Sequence, residues 1–181
     1  MGAASDIEDA LLADLAIPHR AKRAYRQLLG RGLDTMSTAR CGLRHASADV
    51  RCHCCRFLDR FLEPGILGDP ISMLDDPDHR VRLTTLHTLA CDRCKEGDCR
   101  PDEAQVLPLA IGLLANDPDA HVRAMAVDVV GQWVHTNSAA EAILLAAMKS
   151  DPSTTVRKKA GWYAPDGTIH RRTVPKSKRY A

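Results

Sequence analysis

The residues with the most chemistry in the shortest span are Cys91-Asp-Arg-Cys94-Lys-Glu-Gly-Asp-Cys99-Arg-Pro101. Two cysteines separated by two residues have the bite that brings two thiolates onto one ion, and Gly97 lets the loop fold Cys99 back toward them. If the preceding helix runs on to Cys94, then His87, Cys91 and Cys94 follow one another at steps of four and three on one face, which makes His87 the fourth ligand. Cys54 or Cys55 is the other option for that place. Such a site would be closed and structural, a zinc or an iron-sulfur cluster with no open position for catalysis. Two other uses of these three cysteines stay open: unbound thiols in the packing or the loop, and a disulfide. His87 beside Cys91 is also a conceivable nucleophile pair, because an imidazole lowers a thiol pKa, although no orienting group or oxyanion donor can be named beside it. The glycine-rich phosphate loops, the Gly-x-Ser-x-Gly elbow and His-Glu-x-x-His are absent from the sequence.

The elements that would position these residues come from a repeat. Four Val-Arg pairs, Val50-Arg51, Val81-Arg82, Val122-Arg123 and Val156-Arg157, recur at spacings of 31, 41 and 34 residues. Those intervals suit stacked helical hairpins and not a heptad. Five residues before each of the last three valines stands an aspartate followed by proline: Asp76-Pro77, Asp117-Pro118 and Asp151-Pro152. The next residue is Asp78, Asp119 or Ser153, with Ser47 in the first copy, where His45-Ala46 replaces Asp-Pro. The cysteine cluster falls in the longest interval, so the extra residues lie there.

Each part of the pattern has a physical task. Proline disfavours helix in the residue before it, so Asp-Pro ends one helix, and the Asp or Ser that follows caps the next. Val122, Ala126, Val129 and Val130 then recur at helical spacing, as do Val81, Thr85, Thr88 and Leu89, giving each helix a stripe that must be covered. Small residues four places after the valine, Ala126 and Ala160, let a neighbour approach, and Cys54 falls at the same place. The first helix of each hairpin is expected over Ile71 to Leu74, Val106 to Leu114 with a bend at Pro108, and Ala139 to Met148. Trp162 and Tyr163 are expected to cover the open end of the core.

On the Asp-Pro-x-x-x-Val-Arg corner, the chain from about Ala24 to Tyr163 resembles the HEAT-repeat family, in particular its short bacterial, phycobilisome-lyase-like type. The resemblance implies an all-α fold, a right-handed α-solenoid of about four HEAT-like hairpins plus an N-terminal helix. It also implies a hydrogen-bonded ladder between successive repeats, formed by Asp76, Asp117 and Asp151 with Arg82, Arg123 and Arg157. The first copy, lacking the aspartate, stands outside that set. HEAT-type di-iron enzymes carry His-Glu dipeptides, and none of the eight histidines here precedes a glutamate. Trp133, Trp162 and Tyr163 leave a HEAT-like DNA glycosylase as a minor alternative, against which stands the net acidic body once the tail is removed.

Composition agrees with helices. Aromatic residues make up only 4% of the chain against 45% hydrophobic residues in all, so Leu, Ala and Val must build the core. No apolar run approaches a membrane span, and Met1 to Asp14 has neither a basic nor an apolar leader region, so a cytoplasmic protein without membrane contact is expected. The net charge is +2, but Arg171, Arg172, Lys176, Lys178 and Arg179 crowd the last fourteen residues without an acid, and removing them leaves −3. These features divide the chain into an acidic segment 1–18, a repeat body 19–164 and a basic flexible tail 165–181. The expected role is a non-catalytic scaffold or adaptor with a protein partner. The alternatives are nucleic-acid binding through the tail and a cysteine- or metal-dependent enzyme.

Overall fold

The structure, a computed structural model, describes residues 2–62, 64–90 and 102–175, and the side chains of residues 2–6 and Pro64 are not part of that description. Every regular element among them is helical. The chain falls into two compact units, Met1–Arg100 and Pro101–Ala181. That division lies inside the span 19–164 delimited by the repeat.

The first unit contains α1 (Gly2–Leu15), α2 (Pro18–Arg31), α3 (Met36–Gly42), α4 (Ala48–Arg60), α5 (Gly68–Ser72) and α6 (His79–Ala90). Its core joins Leu11, Leu12 and Leu15 of α1, Leu28 of α2, Val50, Cys54, Cys55, Phe57 and Leu58 of α4, and Val81 of α6. The acidic segment at the start therefore lends three leucines to the core. Between α4 and α6 the first helix of the hairpin is short, five residues of α5 followed by a 3-10 turn at Met73–Asp75.

The second unit contains α7 (Glu103–Asn116), α8 (Ala120–Val130), α9 (Ser138–Ser150), α10 (Thr154–Tyr163) and α11 (Thr168–Thr173). Consecutive helices pack as antiparallel pairs would, α7 on α8 and α9 on α10, and like helices also touch, α8 on α10 and α7 on α9. The buried side chains are small and aliphatic: Val106, Ala110, Leu114, Val122, Ala126, Val129, Val130, Ala140, Leu144, Val156 and Ala160. Pro108 lies within α7, and the helix continues past it to Asn116. Tyr163 packs its ring on Gly131, where an added Cβ would stand 2.2 Å from the ring edge. Its hydroxyl donates to Asp128, which also accepts from Lys159. Trp162, expected to cover the core beside it, is 40% exposed.

The residue before each proline is extended, as steric conflict with the ring requires: Asp76, Asp117 and Asp151 have φ near −60° and ψ near 135°. Each then folds back on itself, its Oδ1 accepting from the amide two residues on, that of Asp78, Asp119 or Ser153. Asp78 and Asp119 cap the following helices, accepting from Arg80 and from His121 and Val122. Ser47 and Ser153 make no such side-chain cap.

Close packing in the first unit can be tested at Gly42, where a Cβ would lie 2.3 Å from Cys54 Sγ and 2.9 Å from Leu12 Cδ2. Gly to Ala in a helix gains up to about 1 kcal/mol from propensity, whereas overpacking costs about 1 to 3 kcal/mol, so the clash wins. Gly42→Ala should lower the Tm of the chain, and the same change made in a Cys54→Ala background should cost measurably less. Equal penalties in the two backgrounds, read by thermal melting, would refute the contact.

Candidate functional site

The repeated arginine is the most elaborated side chain of the structure. In all four copies its Nη1 donates to the two carbonyls of the turn that precedes its own helix. Arg51 reaches His45 and Ala46 at 2.8 and 2.9 Å, and Arg82 reaches Asp76 and Pro77 at 2.8 and 3.1 Å. Arg123 reaches Asp117 and Pro118 at 2.8 and 3.2 Å, and Arg157 reaches Asp151 and Pro152 at 2.6 and 3.2 Å. Those carbonyls lie outside any helix and have no ladder partner, so the guanidinium satisfies groups that burial would otherwise penalise.

With Nη1 so engaged, the other edge of the Arg51 and Arg123 guanidiniums faces the next corner. Arg51 donates from Nε and Nη2 to the two carboxylate oxygens of Asp76 at 2.6 and 2.9 Å. Arg123 does the same to Asp151 at 2.8 and 3.0 Å. These are parallel two-bond forks, with side chains 12% and 3% exposed in the first and 10% and 5% in the second. Arg157 makes its two carbonyl bonds and enters no ion pair among the described residues.

Arg51 belongs to this set although its own copy lacks the aspartate. The copy is complete in another way, because His45 Nδ1 accepts from the amide of Ser47 at 3.0 Å, the bond that Asp Oδ1 makes in the other corners. This fixes the imidazole as the tautomer with its proton on Nε2. Residue type concealed the equivalence, and only the position of an acceptor two residues before the helix revealed it.

The electrostatics follow from the forks. Burial alone would raise the Asp151 carboxyl, but the Arg123 bonds, the Ser153 amide and the Arg157 charge outweigh it and hold the group below its usual range. Hydrogen bonding to the partner aspartate raises the pKa of both Arg51 and Arg123.

Beside the second fork, α7 and α9 leave an open groove of about 390 Å³. Leu114, Ala115, Ile143, Ala146 and Ala147 supply its apolar walls, and Asp117, Arg123 and Asp151 stand at its polar margin.

The expected metal ligands are divided by the limits of the description. Cys91, Cys94 and Cys99 lie outside the described residues. His87 is exposed in the last turn of α6. Among the described residues no three His, Cys, Asp or Glu side chains come together as a metal site. Cys54 and Cys55 are fully buried, and burial pushes both thiols up to about 12, so they stay protonated at neutral pH and are poor nucleophiles. Cys55 Sγ rests 3.6 Å from Thr85 Oγ1. In the tail, Arg171 and Arg172 are carried on α11, and His170 packs its ring on His135 with centroids 4.4 Å apart. Lys176, Lys178 and Arg179 lie outside the described residues.

Sequence reasoning also passed over α2. Its fourteen residues include Arg20, Lys22, Arg23, Arg26 and Arg31 and no acid, a bias that was visible in the letters but averaged away in the net charge.

No protein-family model matches this chain, and no curated protein matches it.

Removing Arg123 leaves Asp151 charged and buried without its partner, whereas Arg157 serves only its own corner. Arg123→Ala should therefore destabilise the chain by about 3 kcal/mol and Arg157→Ala by about 1 kcal/mol in urea unfolding. Because the folded pKa of Asp151 is depressed, its contribution is present above the ordinary carboxylate pKa of about 4 and is lost as pH falls through the folded value. Asp151→Asn should accordingly flatten the loss of stability below about pH 4. An unchanged acid limb in that variant would show that the fork does not govern it.

Proposed function

We propose that this chain is a non-catalytic scaffold of HEAT-like hairpins, an α-solenoid in design, that binds a protein partner along its helical repeats. The observation that carries this reading is the repeated fork, Arg51 on Asp76 in the first unit and Arg123 on Asp151 in the second, each tying one helix corner to the next. Packing of α4 on α6, of α8 on α10 and of α7 on α9 supports the same design, since a hairpin with one apolar stripe needs a like neighbour to cover it. The protonated state of Cys54 and Cys55 removes them as nucleophiles.

Within the second unit, the groove between α7 and α9 is the surface best suited to the partner. Its apolar walls accept the side chains of a bound helix or extended segment, and the Arg123–Asp151 fork gives it a fixed polar edge. Ala146 is exposed on its wall, so a long charged side chain there fills the groove without touching the core.

The whole chain, immobilised and exposed to lysate treated with nuclease, should retain a protein partner in constant proportion. Ala146→Arg should weaken that retention at least tenfold, about 1.4 kcal/mol, while leaving the Tm unchanged. Retention that disappears with nuclease, or that is the same for Ala146→Arg, would remove the scaffold reading at this surface.

A further inference from the structure

A cluster of basic side chains lies on a face that the forks and the groove leave unused. Helix α2 buries Ala21, Ala24 and Leu28 and turns Lys22, Arg23 and Arg26 to solvent. At 100° per residue, Lys22 and Arg26 follow Tyr25 and Leu29 around the helix, on one side of the buried stripe. Tyr25 on that side meets His53 of α4, with ring centroids 5.1 Å apart. On α4, His53, Arg56 and Arg60 are separated by three and four residues and so share one face, with Arg56 and Arg60 exposed. Two cationic pairs thus flank one pair of half-buried rings.

These cations are not committed elsewhere. Lys22, Arg23, Arg26, Arg56 and Arg60 enter no ion pair among the described residues, although Arg20, Arg40, Arg51 and Arg80 in the same unit all do. Asp14 at the end of α1 pairs with Arg20 and with none of them. Two acids lie on this side of α4: Asp49, whose carboxylate pairs with Arg80, and Asp59, whose buried Oδ1 has no hydrogen-bond partner among the described residues; neither does Nδ1 of His53. Arg60 and Arg56 lie near enough to the Tyr25 hydroxyl to oppose the rise in its pKa that burial causes. Burial, aided by Arg56 and opposed by Asp49, lowers the His53 pKa.

We propose that the face formed by Lys22 and Arg26 of α2 and by Arg56 and Arg60 of α4, on either side of the Tyr25–His53 ring pair, is a binding site for single-stranded nucleic acid. The cations of each helix are four residues apart, a rise of about 6 Å, and so are spaced as a strand spaces its successive phosphates. Three of the four are guanidiniums, which grip phosphate oxygens in pairs, and the rings offer a base a surface for stacking. A membrane surface is the poorer fit. An interfacial helix turns its apolar side outward, whereas that of α2 is occupied by the core of the first unit. This inference stands apart from the scaffold reading and is decided by a different measurement.

Fluorescence anisotropy of the full chain with a labelled twenty-nucleotide RNA or DNA single strand tests it. Four phosphate contacts at about 0.7 each give a log–log salt slope near −2.8, so affinity should fall about fifty-fold between 50 and 200 mM salt. Arg26→Ala with Arg56→Ala should weaken binding at least tenfold and reduce the slope by about 1.4. Arg26→Lys with Arg56→Lys, which keeps the charge, should retain most of the binding and shows that loss is not misfolding. Arg171→Ala with Arg172→Ala on α11 should leave binding unchanged. The proposal is overturned by an absence of salt-sensitive binding, by binding that survives the double alanine variant, by loss that follows the α11 variant, or by binding to phosphatidylserine vesicles in preference to the oligonucleotide.

Discussion

The structure depends on one guanidinium placed at a helix corner with its two edges assigned to different work. Proline forces the residue before it out of the helix, and the carbonyls of the turn are left without ladder partners. One nitrogen of the arginine repairs that damage locally, and the opposite edge is thereby aimed at the following corner. In the Arg51–Asp76 and Arg123–Asp151 forks the receiving carboxylate is itself held by the amide two residues on. Both partners are oriented before they meet, so little side-chain freedom remains to be lost when the pair forms. A buried pair of this kind adds little net stability compared with apolar residues of the same size, but its loss on one side is costly. What it contributes is register: an aspartate one corner away is accepted and other neighbours are not.

The same economy of side chains runs through the helices that follow the corners. Four residues after the repeated valine stand Cys54, Thr85, Ala126 and Ala160, all fully buried and all small. A larger side chain there would hold the neighbouring helix away and lengthen the reach between corners. The Cys54 and Cys55 thiols belong to this packing. Their raised pKa values follow from the apolar surroundings that make them useful as small core residues, which is why burial and reactivity exclude one another here.

The sequence made the corners legible because steric rules act on the backbone whatever surrounds it: Asp before Pro, and Asp78 or Asp119 before a helix. It made Arg51 and His45 illegible because the motif was matched by residue type, while the corner needs only an acceptor atom at one place and a guanidinium six residues later. An imidazole nitrogen meets the first need as well as a carboxylate oxygen does. The basic side of α2 was lost for a different reason. Net charge sums over the chain, and the acids of α1 and of the corners cancel Lys22, Arg23 and Arg26 in the sum although Asp14, the nearest of the paired acids, is spent on Arg20. Electrostatic attraction is screened within about 8 to 10 Å, so the local grouping decides and the total does not.

The substitution at the first corner also limits what the last one can bind. His45 reproduces the turn with a ring nitrogen and offers no carboxylate, so an arginine fork arriving there from another molecule would find one imidazole in place of two carboxylate oxygens. Arg157 carries such a fork, already oriented by the Asp151 and Pro152 carbonyls. A second copy presenting its first corner to Arg157 would therefore desolvate a guanidinium without returning the paired bonds that compensate for it elsewhere in the chain.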